Sequence, residues 1–374
     1  MKTLKLNSLQ RLIAFVLITV LLLCVVGFAA GGRQSAPVNE PESGEVGNET
    51  DKTDENIDGN NQNGNTTPPD NTDESSNPEA NKYYNTITGL EISEEQYRKH
   101  PIGFVVNPEL PIYGISSSDL TIEFPIENGK SRLLSYTTNN AVLWKVGSLS
   151  PTRAFISASS NFFGGVVVSY GNDDIIKYSA WDASKINLDI SKISGCYYVE
   201  NTLYIYTSGD MVYSAMQNAQ DIEPTEYKAP PYLFSTSEVR GTTTANSVIL
   251  PYSSQNETEL YYSESSGKYS YYKSGTRKND MLTGKNIAFS NVFVLFANTT
   301  TYEKADGTEL VVDNTSGGSG YYISMGTLTE IRWSIDENGS LIFTKLNDEV
   351  LSVNRGNAYI AYYKASMSSS VKFS

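Results

Sequence analysis

The first pattern along the chain is an unbroken apolar run from Leu12 to Ala30, preceded by Lys2, Lys5 and Arg11. Nineteen residues rising about 1.5 Å each give a helix of roughly 28 Å, close to the hydrocarbon thickness of a bilayer. The basic flank stays in the cytoplasm, so everything after Gly31 faces outward. Three attachments fit this run. It can remain as an uncleaved membrane anchor through residues 12–30, be cut near Ala29 after the small residues Gly27 and Ala29, or be lipidated at Cys24. Leu23 before Cys24 is larger than the residue that usually precedes a lipidated cysteine.

Apolar residues then almost vanish between positions 34 and 82, where Asn, Asp, Glu, Thr, Gly and Pro dominate. Such a stretch cannot bury enough surface to offset its ordering entropy, and reads as a disordered acidic linker. Asp54, Asn56, Asp58 and Gly59 imitate the opening of a calcium loop, but Asn65 stands where the closing Glu belongs and no helices flank it.

Regular patterning resumes at Tyr83. Strand-like runs fall at Ile102–Val106, Leu120–Ile126, Arg132–Tyr136, Ala141–Trp144, Gly165–Ser169 and Leu203–Tyr206. Helix starts are marked by the capping box Ser93-Glu94-Glu95-Gln96, by Asn172 before Asp173–Trp181, and by Ser208 before Gly209–Ala219. This alternation predicts an α/β (or α+β) domain over 83–228. Ala229-Pro230-Pro231 marks the junction. A mainly antiparallel β domain then follows over 229–374, with turn signals at Ser265-Ser266-Gly267, Asp306-Gly307 and Asn338-Gly339. Its longest apolar run, Ile287–Ala297, reads as one central strand. In the six Tyr-Tyr doublets, strand alternation sends one ring to the core and the other to water. Exposed members would suit stacking on sugar rings.

Composition narrows the function. The chain of 374 residues carries 28 basic and 42 acidic side chains, for a net charge of −14. That balance speaks against a nucleic-acid partner, whose phosphates need clustered Lys and Arg. One histidine and two cysteines cannot complete a zinc site of the His/Cys type, and no cofactor is expected. His100, at a helix end, suits the helix dipole. Cys196 reads as a buried, inert thiol. Gly164-Gly165 precedes a strand and does not cradle phosphate. There is no G-x-S-x-G elbow, Walker loop or HExxH. Serine with lysine as base stays open, because no spacing marks a pair.

Several short motifs together resemble the YerB family of bacterial lipoproteins. They are Tyr84–Leu90, the strand closing on Asn107, Ser118–Glu123, Gly129–Arg132, Lys145–Arg153, Ile205–Ser208, Asp280 with Thr283-Gly284, and Trp333. The resemblance implies an α/β domain joined to a β-rich one, outside the membrane, with no established activity. The chain departs from the family at Leu110, Ser150, Ser169–Asn172 and Thr202–Tyr204, where family polar residues are missing. What remains is Asn107, Glu123, Arg132 and Arg153, the candidate binding residues. A Glu between two arginines would receive a carboxylate-bearing or glycan ligand, since Arg matches carboxylates bidentately. The alternative is a structural ion-pair network.

The expected function is that of a non-catalytic, membrane-tethered extracytoplasmic protein in the envelope of a Gram-positive-type bacterium. Its expected partners are a peptidoglycan fragment or a cell-wall synthesis protein. The second expectation is a cell-wall hydrolase acting through carboxylates such as Glu123, which needs a second acid about 5–10 Å away across a cleft.

Overall fold

The computed structural model describes residues 82–139, 143–171, 186–219, 231–304 and 307–374. The apolar run 12–30, nearly all of the acidic linker, the helix expected over Asp173–Trp181, and the first half of the strand expected over Ala141–Trp144 lie outside these residues. Among the described residues no helix is long and apolar enough to cross a membrane. Glu74–Ser374 form one compact unit.

Strands dominate, and most of their pairings are antiparallel. In the first half they are β1 (Ile102–Val106), β2 (Leu120–Pro125), β3 (Ser131–Thr137), β4 (Val166–Ser169), β5 (Asn187–Asp189), β6 (Tyr198–Glu200) and β7 (Tyr204–Thr207). The second half adds β8 (Ser247–Ser253), β9 (Asn256–Ser263), β10 (Lys268–Lys273), β11 (Asn291–Ala297), β12 (Thr299–Lys304) and β13 (Gly307–Val312). It closes with β14 (Gly318–Ser324), β15 (Thr327–Ile335), β16 (Leu341–Lys345) and β17 (Ala358–Lys364).

One large sheet of eleven strands runs β15-β14-β11-β17-β2-β3-β1-β4-β5, with the short strand Thr243–Thr244 and β16 both paired to β15. Its middle joins the two sequence halves. β17 pairs in parallel with β11 on one side and with β2 on the other. The residues on either side of the expected junction near 228/229 therefore share a sheet. The reason is visible in β17 itself, AYIAYYK, whose first six residues are all buried. A strand apolar on both faces belongs in a sheet interior, between neighbours and under cover on each side. A second, six-stranded sheet built on β8, β9 and β10 packs against the first through Tyr252, Leu260, Tyr269, Tyr271 and Tyr359. The arm β12–β13 is a separate two-stranded ribbon.

Several local expectations are met by explicit bonds. Ser93 and Gln96 close the capping box of the helix Glu94–Tyr97. Ser208 accepts from the Met211 amide at the start of Gly209–Asn218, the only α-helix of more than five residues among those described. The α content expected for 83–228 is otherwise small. Hairpins form at Ser263–Lys268, Lys304–Gly307 and Ile335–Leu341.

The run Ile287–Ala297 is not one strand. Ala288–Phe289 pair with β10 in the second sheet, whereas Asn291–Ala297 enter the large one. Ser290 and Asn291 both donate their amides to the Asn357 carbonyl at the crossing. Gly164-Gly165 has a steric explanation: at Gly165 φ is +83°, and a Cβ there would lie 1.8 Å from the Pro101 carbonyl oxygen.

Candidate functional site

Glu123 follows Leu120, Thr121 and Ile122 in β2, and all six residues of that strand are buried. Its carboxylate faces the second sheet. Lys273 Nζ lies 2.8 Å from Oε1, Tyr359 donates to Oε2 at 2.6 Å and Tyr271 at 3.1 Å, and Thr258 and Ser131 complete the ring of donors. Burial alone would raise the Glu123 carboxyl. The Lys273 charge and the bonds from Lys273, Ser131 and Tyr359 outweigh it and hold the carboxyl below the usual carboxylate range. Both partners are sealed, their side chains 0% and 2% exposed.

This arrangement departs from the expected one. Neither Arg132 nor Arg153 pairs with Glu123; its cation is Lys273. Arg132 sits opposite Phe124 in the β2–β3 ladder, whereas Glu123 sits opposite Leu133. Adjacent ladder positions face opposite sides of a sheet, so Arg132 and Glu123 lie on different faces. Arg132 donates to the Ser131 carbonyl at 2.9 Å. Asn107 ends β1 in an Asx turn, its side chain accepting from the Glu109 amide at 3.1 Å. The four sequence candidates thus occupy separate positions.

The network also contains a serine beside a lysine. Lys273 Nζ is 2.8 Å from Ser131 Oγ. Its three N–H groups point at Glu123, Ser131 and Thr258. An ammonium with every proton engaged, in a sealed interior, is an ion-pair partner and not a base poised for catalysis. A sequence signal for it existed: Tyr269, Tyr271 and Lys273 alternate along β10 and are all buried, so the lysine stands in the inward register.

Arg153 marks the open site. It precedes the short helix Ala154–Ala158 and meets Glu127 bidentately, Nε to Oε1 at 3.1 Å and Nη2 to Oε2 at 2.8 Å. Glu127 also accepts from the Leu310 amide of β13 at 3.1 Å. One carboxylate therefore ties the turn after β2 to both the guanidinium and the arm. Burial would raise Glu127, but its bonds to Arg153 and that positive charge hold it low. Between turn and arm lies a groove of about 580 Å³, bordered by Glu127, Asn128, Arg153, Thr301, Thr308 and Lys364. Lys364, at the end of β17, makes no ion pair among the described residues.

The remaining family-like motifs are structural. Asp280, fully buried, accepts from the amides of Gly114, Ser116 and Leu282 and from the Ser116 hydroxyl, which also meets Thr283 at 3.1 Å. It clamps the loop after β1 to the loop after β10. Trp333 packs edge-on against Tyr362 and donates to the Phe296 carbonyl. Cys196 is buried and unpaired by disulfide, with burial pushing its thiol up.

A two-sheet β body, joined through a parallel strand and bearing a polar groove beside a ribbon arm, defines the class of protein. It has the fold of the crystal structure of YerB from Bacillus subtilis, with a TM-score of 0.67 over 78% of this chain and 100% of that one, at 22% identity. In sequence the chain is 25% identical over 277 residues to the Bacillus subtilis protein named "Putative lipoprotein YerB", covering 71% of this chain and 82% of that one. Residues 248–360 match the family model described as protein of unknown function (DUF3048), C-terminal domain. In sequence and in fold the chain is thus similar to YerB over most of its length.

Proposed function

We propose that this is a membrane-tethered, extracytoplasmic binding protein of the bacterial envelope, of Gram-positive type, without catalytic activity. The apolar run 12–30 with its basic flank supports the tether, and the lipoprotein name of the Bacillus subtilis relative agrees with it. Residues 83–228 and 229–374 act as one body around the groove. The ligand is a cell-wall fragment or a cell-wall synthesis protein.

The observation that carries this reading is the groove at Arg153, open and polar, while Glu123 is sealed. Two carboxylates (Glu127, Glu309) and two cations (Arg153, Lys364) border it, so its charges balance. Thr301, Thr308 and Asn128 add neutral hydrogen-bonding groups. Such a surface suits a polar ligand of little net charge, as peptidoglycan glycan and zwitterionic stem peptides are. The residue named for the hydrolase alternative, Glu123, meets no solvent and faces a lysine in place of a second acid.

The test is sedimentation of the detergent-solubilised full chain with purified cell-wall sacculi, and pull-down from solubilised membranes. Lys364→Ala and Thr308→Val are the variants. Binding that weakens in both, with an unchanged muropeptide profile, is expected. Released muropeptides, or binding indifferent to both variants, would overturn the reading.

A further inference from the structure

A second surface shares no residue with the groove. Trp144 is 68% exposed, the most exposed of the large apolar side chains among the described residues. It is also firmly seated. Its carbonyl accepts from the Tyr198 hydroxyl at 3.3 Å, and the next residue, Lys145, is held from three sides. Lys145 Nζ lies 4.1 Å from the Tyr113 ring centroid, 4.0 Å from that of Tyr206, and 3.2 Å from a Glu200 carboxylate oxygen. Tyr113 and Tyr206 meet edge to face at 4.9 Å. Register places Tyr198 opposite Tyr206 and Glu200 opposite Tyr204 in the β6–β7 ladder, so these four side chains share one face. The face carries one ion pair, with Tyr198 exposed beside it and Tyr206 buried beneath it.

The geometry points to a saccharide-stacking platform, with Trp144 as the stacking ring and Glu200 and Lys145 as the hydroxyl-binding pair, for a neutral pyranose chain. A pyranose has an apolar C–H face and a rim of hydroxyls. Indole and phenol rings receive the first, and a carboxylate accepts from vicinal hydroxyls with charge-assisted bonds. The half-exposed Glu200 carboxylate can accept such bonds without first being stripped of water. The lysine is already neutralised by Glu200, so the face attracts neither anions nor cations. An anionic lipid surface is disfavoured for the same reason, and by the body's net charge of −8 over residues 83–374. Fixing Trp144 through Tyr198 and Lys145 removes ordering cost before any ligand arrives. The platform does not rest on the groove reading, and either can fail alone.

The experiment is titration of the detergent-solubilised full chain with the β-1,4 tetramer of N-acetylglucosamine, read by tryptophan fluorescence and by calorimetry. Trp333 is buried, and a Trp181→Phe background removes the third tryptophan, so the signal reports Trp144. Saturable change is expected in the wild type. A roughly tenfold loss of affinity is expected in Trp144→Ala, with partial recovery in Trp144→Phe, since a phenyl ring restores part of the stacking face. Glu200→Gln should weaken binding while leaving the melting temperature unchanged. Equal affinity in wild type and Trp144→Ala, or no binding, overturns the proposal. So does loss in Trp144→Ala of vesicle binding or of self-association in place of sugar binding, which would make the face a membrane or protein contact.

Discussion

Lys273 Nζ and Glu123 Oε1 stand 2.8 Å apart across the boundary between two sheets, and neither side chain reaches solvent. Every proton of the ammonium and both oxygens of the carboxylate have partners, so desolvation of the two charges is offset by a closed set of bonds. Removing one partner strands the other. Glu123→Gln or Lys273→Met alone should each cost about 3–5 kcal/mol. The double variant Glu123→Leu/Lys273→Met should cost clearly less than the sum. Urea denaturation of the four proteins checks this, and strict additivity would show that the pair is not a unit.

The same site fixes a pH dependence. Glu123 and Glu127 are both held below the usual carboxylate range in the folded state. Their contribution is complete above the unfolded carboxylate value, about 4.3, and is lost as pH falls from there through the folded values. Asp119, raised by burial, works in the opposite sense, its contribution lost as pH rises through its folded value. Glu259 is likewise raised by burial, but with Asp313 also held low the depressed groups outnumber the raised ones, so the urea midpoint should fall between about pH 5 and pH 3. Glu123→Gln should flatten that slope; an unchanged slope would detach the acid sensitivity from this pair.

What could be read from the sequence depended on how local each signal was. The capping box at Ser93, the cap at Ser208 and the hairpins near Asp306-Gly307 and Asn338-Gly339 are set within a few residues, and the structure contains each. The parallel seating of β17 pairs it with β2 across more than 200 positions and with β11 across more than 60, which no periodicity encodes. The break at Ser290 hides inside a uniformly apolar run for the same reason. At the site, Arg153 was legible and its partner was not. Glu127 follows the strand in an irregular turn with Asn128 in left-handed geometry, where alternation gives no direction. Glu123 was read as meeting a ligand between Arg132 and Arg153, while ladder register places Arg132 on the other face.

Gly165 offers a clean test of backbone geometry. Gly165→Ala would place a methyl 1.8 Å from the Pro101 carbonyl oxygen at a positive φ. Backbone must shift, and β4 with it, so a loss of more than about 3 kcal/mol is expected. Gly275, at φ +75° with no atom within 4 Å of its virtual Cβ, is the control. Gly275→Ala should cost only about 1 kcal/mol, since it meets the φ penalty alone. Thermal melts of the two variants distinguish clash from strain, and equal losses would remove the steric role assigned to Gly165.

Arg153 has two duties that one substitution would confuse, and their separation is measurable. Its guanidinium borders the groove and also holds Glu127, which in turn accepts from Leu310 and so pins the arm. Arg153→Ala should leave Glu127 half-buried without its cation, costing about 1–3 kcal/mol. It should also loosen β12–β13, opening the arm to protease. Arg153→Lys keeps the charge but not the bidentate fork, and should restore stability only in part. Glu127→Gln retains one acceptor oxygen for the Leu310 amide while weakening the grip on Arg153. Cleavage in the arm should therefore rise more in Arg153→Ala than in Glu127→Gln, as limited proteolysis with mass mapping will show. Lys364→Ala borders the same groove without touching this tie, so its arm should be cut no faster than in the wild type. Faster cutting there would mean that the arm is held by the groove as a whole and not by Glu127.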